Sequence, residues 1–150
     1  MDENIGRILH KLDSIGIGDD TVVIFTSDNG GFSTTTGAPT SNLPFRGGKG
    51  WLYEGGIREP LIVRWRKIVG AGTEGWKDLQ FNGCSAGTRI GSIVSGADFL
   101  PTFLDLAGMS PTSDLQLDGR SLVPLLQNSG NTDFHERPLF WHYPHYSNQG

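Results

Sequence analysis

A single cysteine, Cys84, stands in 150 residues, which excludes an internal disulfide. The lone thiol gives no compartment signal, because a large secreted enzyme can also do without disulfides. Long apolar runs are missing as well. The longest are about seven residues, far short of the ~20 needed to cross a bilayer. Cationic residues are scarce: 12 Lys and Arg against 16 Asp and Glu give a net charge of -4. No basic stripe runs through the chain, so nucleic acid is not an expected partner. Met1-Asp2-Glu3-Asn4 is acidic and no apolar core follows it, so no secretory leader is read there. In a piece of a longer protein, that observation says nothing about the destination of the whole. No internal repeat is present.

Glycine is what the chain has in excess, with 22 residues. The glycines cluster between apolar runs, the pattern of elaborate loops on a fixed scaffold rather than of low complexity. The length fits one domain that buries about two-thirds of its unfolded surface.

Ile5, Ile8, Leu9, Leu12 and Ile15 recur at helical spacing. Asp2 and Glu3 suit the positive end of that helix, and Gly16 and Gly18 stop it. Thr21 to Ser27 is β-branched and apolar without alternation, which predicts a strand covered on both faces in a parallel sheet. Residues 28 to 59 form a long loop, and loops of that length in a compact domain are usually functional. Leu61 to Trp65 reads as a second strand. Residues 66 to 94 are Gly-rich and weakly patterned, and are expected to be an insertion or loop. A helix is predicted from Asp98 to Ala107, with Pro101 in its first turns and Gly108 as its stop. Leu122 to Leu126 fits one helical turn, and Leu139 to Tyr143 a last strand.

The chemistry concentrates after the first strand. Asp28-Asn29-Gly30-Gly31 places a carboxylate and an amide at the carboxyl end of a strand, where open α/β sheets bind ligands. Taken alone, Asn-Gly and Gly-Gly are also ordinary turn signals. Hard oxygen ligands suit Ca²⁺ or Mg²⁺, and two of them leave a shell of six to eight incomplete. Lys49 lies among Gly47, Gly48 and Gly50, which lets an anion approach the backbone closely. A lysine on a loop is ordinarily a solvated charge. A P-loop is excluded, because that motif needs Gly at 43 and Ser or Thr at 50, where the chain has Leu43 and Gly50. Arg46, Glu54 and Arg58 read as scaffold, with Arg58 expected to pair with Glu59 or Asp28. Phe140 to Tyr146 is unusually aromatic. It suits either core packing or a wall for a sugar or aryl group, with His145 and Tyr146 nearer solvent. His10 reads as a surface residue on the first helix.

Thr21 to Gly31, Pro44 to Trp65, Ser95 to Gly108 and Leu117 to Leu126 resemble, in order, successive segments of the sulfatases of the alkaline phosphatase superfamily. The resemblance implies an α/β fold: part of an alkaline-phosphatase-like domain, its sheet mainly parallel or mixed and flanked by helices. Residues 1 to 150 would be the C-terminal part of that catalytic domain, with 137 to 150 opening the following segment. It implies Asp28 and Asn29 as ligands of Ca²⁺ (or Mg²⁺) and Lys49 as the sulfate-binding lysine. His145 and Tyr146 would contact the substrate, a sulfated small molecule or carbohydrate. The family's nucleophile is a formylglycine made from the Cys or Ser of a Cys/Ser-x-Pro-x-Arg motif. Cys84 is followed by Ser85-Ala86-Gly87-Thr88, which lacks the Pro and the Arg, so this chain holds no nucleophile and is expected to be inactive alone. None of its four histidines inherits a catalytic role, because the family's catalytic histidines lie upstream. A longer parent is expected to be periplasmic, secreted or lysosomal.

Other readings stay open on the sequence. A phosphodiesterase or phosphonate hydrolase of the same superfamily differs at the upstream nucleophile. A non-catalytic remnant would keep the scaffold alone. Gly83-Cys84-Ser85-Ala86-Gly87 matches the Gly-x-Ser-x-Gly elbow of serine esterases, with Ser85 as nucleophile. That elbow requires a buried strand before it, and residues 76 to 82 are largely polar.

Overall fold

The computed structural model describes residues 1–34, 36–65, 86–127, 134 and 136–144. The chain divides into two compact units. One is Met1–Arg66 with Leu139–Gly150; the other is Lys67–Pro138. One division point falls at the start of the Gly-rich stretch and the other at Pro138.

The first unit opens with α1 (Asp2–Ser14), with Asp2 and Glu3 in its first turn and Lys11 in its last. The helix stops where Gly16 turns to a φ of 78°, and the Ile17 amide reaches back to the Leu12 carbonyl at 3.1 Å. No residue of α1 is fully buried, and Ile8 is 60% exposed. Two strands follow, β1 (Val23–Thr26) and β2 (Leu61–Arg64). Arg64 on β2 pairs with Asp13 on α1 at 3.2 Å.

These strands correct two expectations. They pair antiparallel, with Val23 opposite Arg64 and Thr26 opposite Leu61, so the expected parallel pairing does not occur here. A βαβ crossover needs a helix long enough to span the sheet. Between β1 and β2 stands only α2 (Glu54–Ile57), a single turn, and the chain folds back on itself. Residues 23 to 25 are half-buried and Thr26 is exposed, so β1 is not covered on both faces. A continuous apolar run reports low polarity; it does not report pairing direction. Leu139 to Tyr143 forms no strand.

In the second unit a 3₁₀ turn over Gly96–Asp98 leads into α3 (Phe99–Leu106), one residue shorter at each end than the sequence predicts. Its end is closed by Gly108 at φ 65° and by the Met109 amide on the Leu104 carbonyl at 2.8 Å. A short α4 (Val123–Gln127) follows. Leu106, Leu122, Val123, Leu125 and Phe134 are its buried apolar residues.

Asp98 and Thr102 are fully buried beside them. Asp98 accepts from the Ser95 and Arg120 amides, each at 2.8 Å, and from both Nη1 (2.6 Å) and Nη2 of Arg137. Thr102 Oγ1 donates to the Asp98 carbonyl at 2.5 Å and accepts from the Leu122 amide at 2.9 Å. Burial pushes the Asp98 carboxyl upward, but the hydrogen bonds from Arg137, Arg120 and Ser95 outweigh it and hold the pKa below the ordinary range. This fork ties the start of α3 to the chain before α4 and to Arg137 near Pro138.

Candidate active site

The strand end and the glycine loop meet in the first unit. Past Thr26, the Ser27 hydroxyl donates to the Asn29 carbonyl at 2.8 Å and forms the turn carrying Asp28 and Asn29. The next residue is buried against α2: the Gly30 amide donates to the Gly56 carbonyl at 3.0 Å. A Cβ on Gly30 would come within 1.8 Å of the Gly55 carbonyl oxygen, so only glycine allows this approach.

The Lys49 amide donates to the Gly31 carbonyl at 3.2 Å, which brings the lysine back beside the strand end. Asn42 organises the crossing, because its Nδ2 lies 2.8 Å from the Gly31 carbonyl, 2.8 Å from Ser33 Oγ and 3.1 Å from the Gly47 carbonyl. From the other side, the Gly55 amide donates to the Arg46 carbonyl at 2.8 Å. Three chain segments are thus fastened together by backbone contacts at glycines.

The result is one cavity of about 480 Å³, into whose wall both Asn29 and Lys49 are built. Gly50, Trp51 and Leu52 continue the wall from the lysine loop, and Trp141, His142 and Tyr143 add the facing segment. Asp28 is exposed and stands next to this lining. Lys49 is exposed too, free to meet an incoming anion.

The surrounding charges have distinct partners. Arg46 lies over the Tyr53 ring at 3.9 Å, and Tyr53 stacks on Trp51 with centroids 5.9 Å apart. Arg58 reaches Glu54 at 3.4 Å and lies over Phe45 at 4.7 Å; it takes neither of the partners expected from sequence, Glu59 or Asp28. The one-turn α2 explains this, since it places Glu54 and Arg58 four residues apart on one face. Glu59 is half-buried, and its Oε1 has no hydrogen-bond partner. Burial first, and the charge of Asp28 second, push its pKa up.

Asn29 and Lys49 therefore line one cavity, and Asp28 precedes Asn29 in the chain. His145, Tyr146, Cys84 and Ser85 lie outside the described residues. His10 is exposed on α1. The sequence reading picked out the aromatic run but not which of its members face Lys49. It also missed Asn42, Glu59 and the Asp98–Arg137 fork. Ser41-Asn42 ahead of Pro44 was a visible turn signal. Ser95 three residues before Asp98, ahead of an apolar run, carried the signature of a helix start.

A divalent cation fits the donors in part. The Asn29 amide nitrogen is turned to the Gly30 carbonyl at 3.2 Å, which leaves its Oδ1 as the outward ligand atom. Asp28 supplies a carboxylate. These are hard oxygens suited to Ca²⁺ or Mg²⁺. No group of three His, Cys, Asp or Glu residues able to hold a metal occurs among the described residues. This segment therefore fits part of a shell.

Comparison with known proteins identifies the family. A sulfatase family model matches residues 1–109. A sulfatase of Formosa agariphila is 33% identical over 156 residues, covering 97% of this chain and 25% of that protein. Steryl-sulfatase of Mus musculus is 36% identical over 148 residues, covering 95% of this chain and 21% of that protein. A solved structure described as in complex with its substrate D-glucosamine-2-N,6-O-disulfate matches with a TM-score of 0.64 and 34% identity, over 96% of this chain and 25% of its own. This chain thus spans about a quarter of the length of these relatives. The likeness carries the fold, a portion of an alkaline-phosphatase-like domain. With most of its residues matched by the family model, the chain belongs to the sulfatase family.

Proposed function

We propose that the protein carrying this chain hydrolyses sulfate esters, that Lys49 binds the sulfate, and that Asp28 and Asn29 supply part of the shell of a divalent cation, Ca²⁺ or Mg²⁺. One observation carries the reading: Asn29 and Lys49 share one cavity, and the Lys49 backbone is fastened to Gly31 two residues beyond Asn29. A cation held there would help to neutralise the sulfate oxygens.

The residues of this chain do the rest. The Lys49 ammonium stabilises charge on the sulfate oxygens as the ester S–O bond breaks. The glycine loop holds that ammonium in place before substrate arrives, so little reorganisation accompanies the reaction. Trp51 and Leu52 narrow the cavity and limit water around the charge. Attack on sulfur is assigned to a formylglycine upstream of this segment. Water enters overall, and an alcohol and sulfate leave. By the same family reasoning the parent is periplasmic, secreted or lysosomal.

The test is an assay of the complete protein on 4-nitrophenyl sulfate and on bis(4-nitrophenyl) phosphate, with and without a chelator. Sulfate-ester turnover that a chelator abolishes and Ca²⁺ restores is the expected result. Faster cleavage of the phosphodiester would assign the site to phosphoryl chemistry instead.

A further inference from the structure

Asn42 is uncharged and is not part of the cavity wall, yet its amide lies between the two segments that carry Asn29 and Lys49. Gly31 follows Asn29 by two residues, and Gly47 precedes Lys49 by two. The half-buried Asn42 donates through Nδ2 to the Gly31 carbonyl at 2.8 Å and to the Gly47 carbonyl at 3.1 Å. Carbonyl oxygens only accept, so the atom aimed at them is the amide nitrogen. Its third partner is Ser33 Oγ at 2.8 Å. One side chain thus holds both halves of the site, at the same short remove from each residue that would do the chemistry.

Satisfying these carbonyls does not require Asn42. The Gly31 carbonyl also accepts from the Lys49 amide at 3.2 Å, and the Gly47 carbonyl from the Ser33 hydroxyl at 3.2 Å. Neither is orphaned when the Asn42 amide is removed. What the amide adds is a fixed spacing. Gly48 is buried at the crossing, and a Cβ there would come within 2.6 Å of the Gly31 carbonyl oxygen and 2.9 Å of Asn42 Nδ2. Close contact at Gly48 stops the lysine loop from moving inward, and the two Asn42 bonds stop it from moving outward. Asn42 is itself held at its root, because the Phe45 amide donates to the Asn42 carbonyl at 2.8 Å and closes a turn.

We infer that Asn42 is a positioning residue for sulfate-ester hydrolysis, fixing Lys49 relative to Asn29 by clamping Gly31 to Gly47. It touches neither the sulfate nor the cation and acts through Lys49. The inference rests on the sulfatase reading above. A displacement of about 1 Å in a group that stabilises the transition state can cost about 10²-fold in rate, so a clamp of this kind is felt in turnover.

The experiment is a double-mutant cycle in the complete protein, with kcat on 4-nitrophenyl sulfate and a thermal melt for every variant. Asn42→Ala is expected to lower kcat about 10–100-fold. In the Lys49→Ala background the same substitution should change kcat less than about twofold, while shifting the melting temperature as it does in the wild type. A residue needed only for folding would act alike in both backgrounds. Asn42→Asp keeps the shape but turns an oxygen without a proton toward two carbonyls, and kcat should fall at least as far. If Asn42→Ala does not fold, Asn42→Ser, which keeps one donor, carries the same cycle. Thr40→Ala is the control in the same loop: its hydroxyl donates to the Phe32 carbonyl at 2.7 Å, away from Gly47, so kcat should hold. Near-wild-type kcat in Asn42→Ala, an equal loss in both backgrounds, or a loss in Thr40→Ala as large as in Asn42→Ala would overturn the positioning role and leave Lys49 standing. Wild-type kcat in Lys49→Ala would instead remove the sulfate-binding role of Lys49, and the clamp with it.

Discussion

Lys49 is exposed on a loop whose backbone is fastened at Gly31, Gly47 and Gly48, and its side chain adds nothing to a core. Removing it should therefore touch chemistry and not folding. In the complete protein, Lys49→Ala is expected to lower kcat on an aryl sulfate about 10²–10³-fold, the usual effect of losing one charge-stabilising donor. The melting free energy should change by less than about 1 kcal/mol. Lys49→Arg should not restore full activity, because a planar fork fills different space from a compact ammonium. Steady-state kinetics beside a thermal melt decides it. Near-wild-type turnover in Lys49→Ala would reduce the loop to scaffold.

The element that matters most to the site is the smallest one. α2 is a single turn, too short to form by itself, and tertiary contact holds it. Gly55 and Gly56 are buried in it because three backbone segments cross there. A Cβ on Gly56 would come within 2.0 Å of the Trp51 carbonyl oxygen, and one on Gly55 within 2.3 Å of the Gly47 carbonyl oxygen. Both neighbours are backbone and have little room to yield. Gly56→Ala is expected to cost about 1–3 kcal/mol of stability and to misplace the lysine loop. Urea unfolding by circular dichroism measures the first effect, and a raised KM for sulfate ester in the folded fraction measures the second. Gly6 on α1 is the internal comparison, since no atom lies within 4 Å of its Cβ position. Gly6→Ala should be neutral or slightly stabilising, as alanine is the better helix former.

At the scale of the molecule, the two units are stabilised differently. The second unit depends on a buried ion pair. Removing one partner strands the other charge, so Arg137→Ala should cost about 3–5 kcal/mol, read as a lowered denaturant midpoint. The pH dependence follows from the depressed pKa of Asp98. Its stabilisation is fully present above the unfolded carboxyl value of 3.8 and is lost as pH falls through the lower folded value. Acid unfolding below about pH 4 that persists unchanged in Asp98→Asn would show that other carboxylates dominate. The first unit has few fully buried side chains, and it supplies one carboxylate and one amide to the proposed cation site. The 150-residue chain alone is therefore expected to bind Ca²⁺ no tighter than micromolar and to turn over no aryl sulfate. Calorimetry and an assay against a boiled control test both statements. A sub-micromolar affinity lost in Asp28→Ala would mean that the ligand set is larger than the one described.

Residue types and their spacing determined α1, α3 and α4 nearly to the residue, because a 3.6-residue apolar period and a glycine stop are local signals. They also marked Asp28, Asn29 and Lys49, because hard oxygens and a glycine-flanked cation are legible as chemistry wherever they fall. Only the tertiary structure decided that β1 meets β2 antiparallel, since a strand's direction depends on the path of the chain between the two strands. It alone placed Trp141, His142 and Tyr143 at the lysine, more than 80 residues later in the sequence, and gave Asp98 its partner Arg137. Pairings across such distances depend on which backbones can approach closely. Within residues 30 to 56, Gly30, Gly48, Gly55 and Gly56 leave the space in which neighbouring backbones cross.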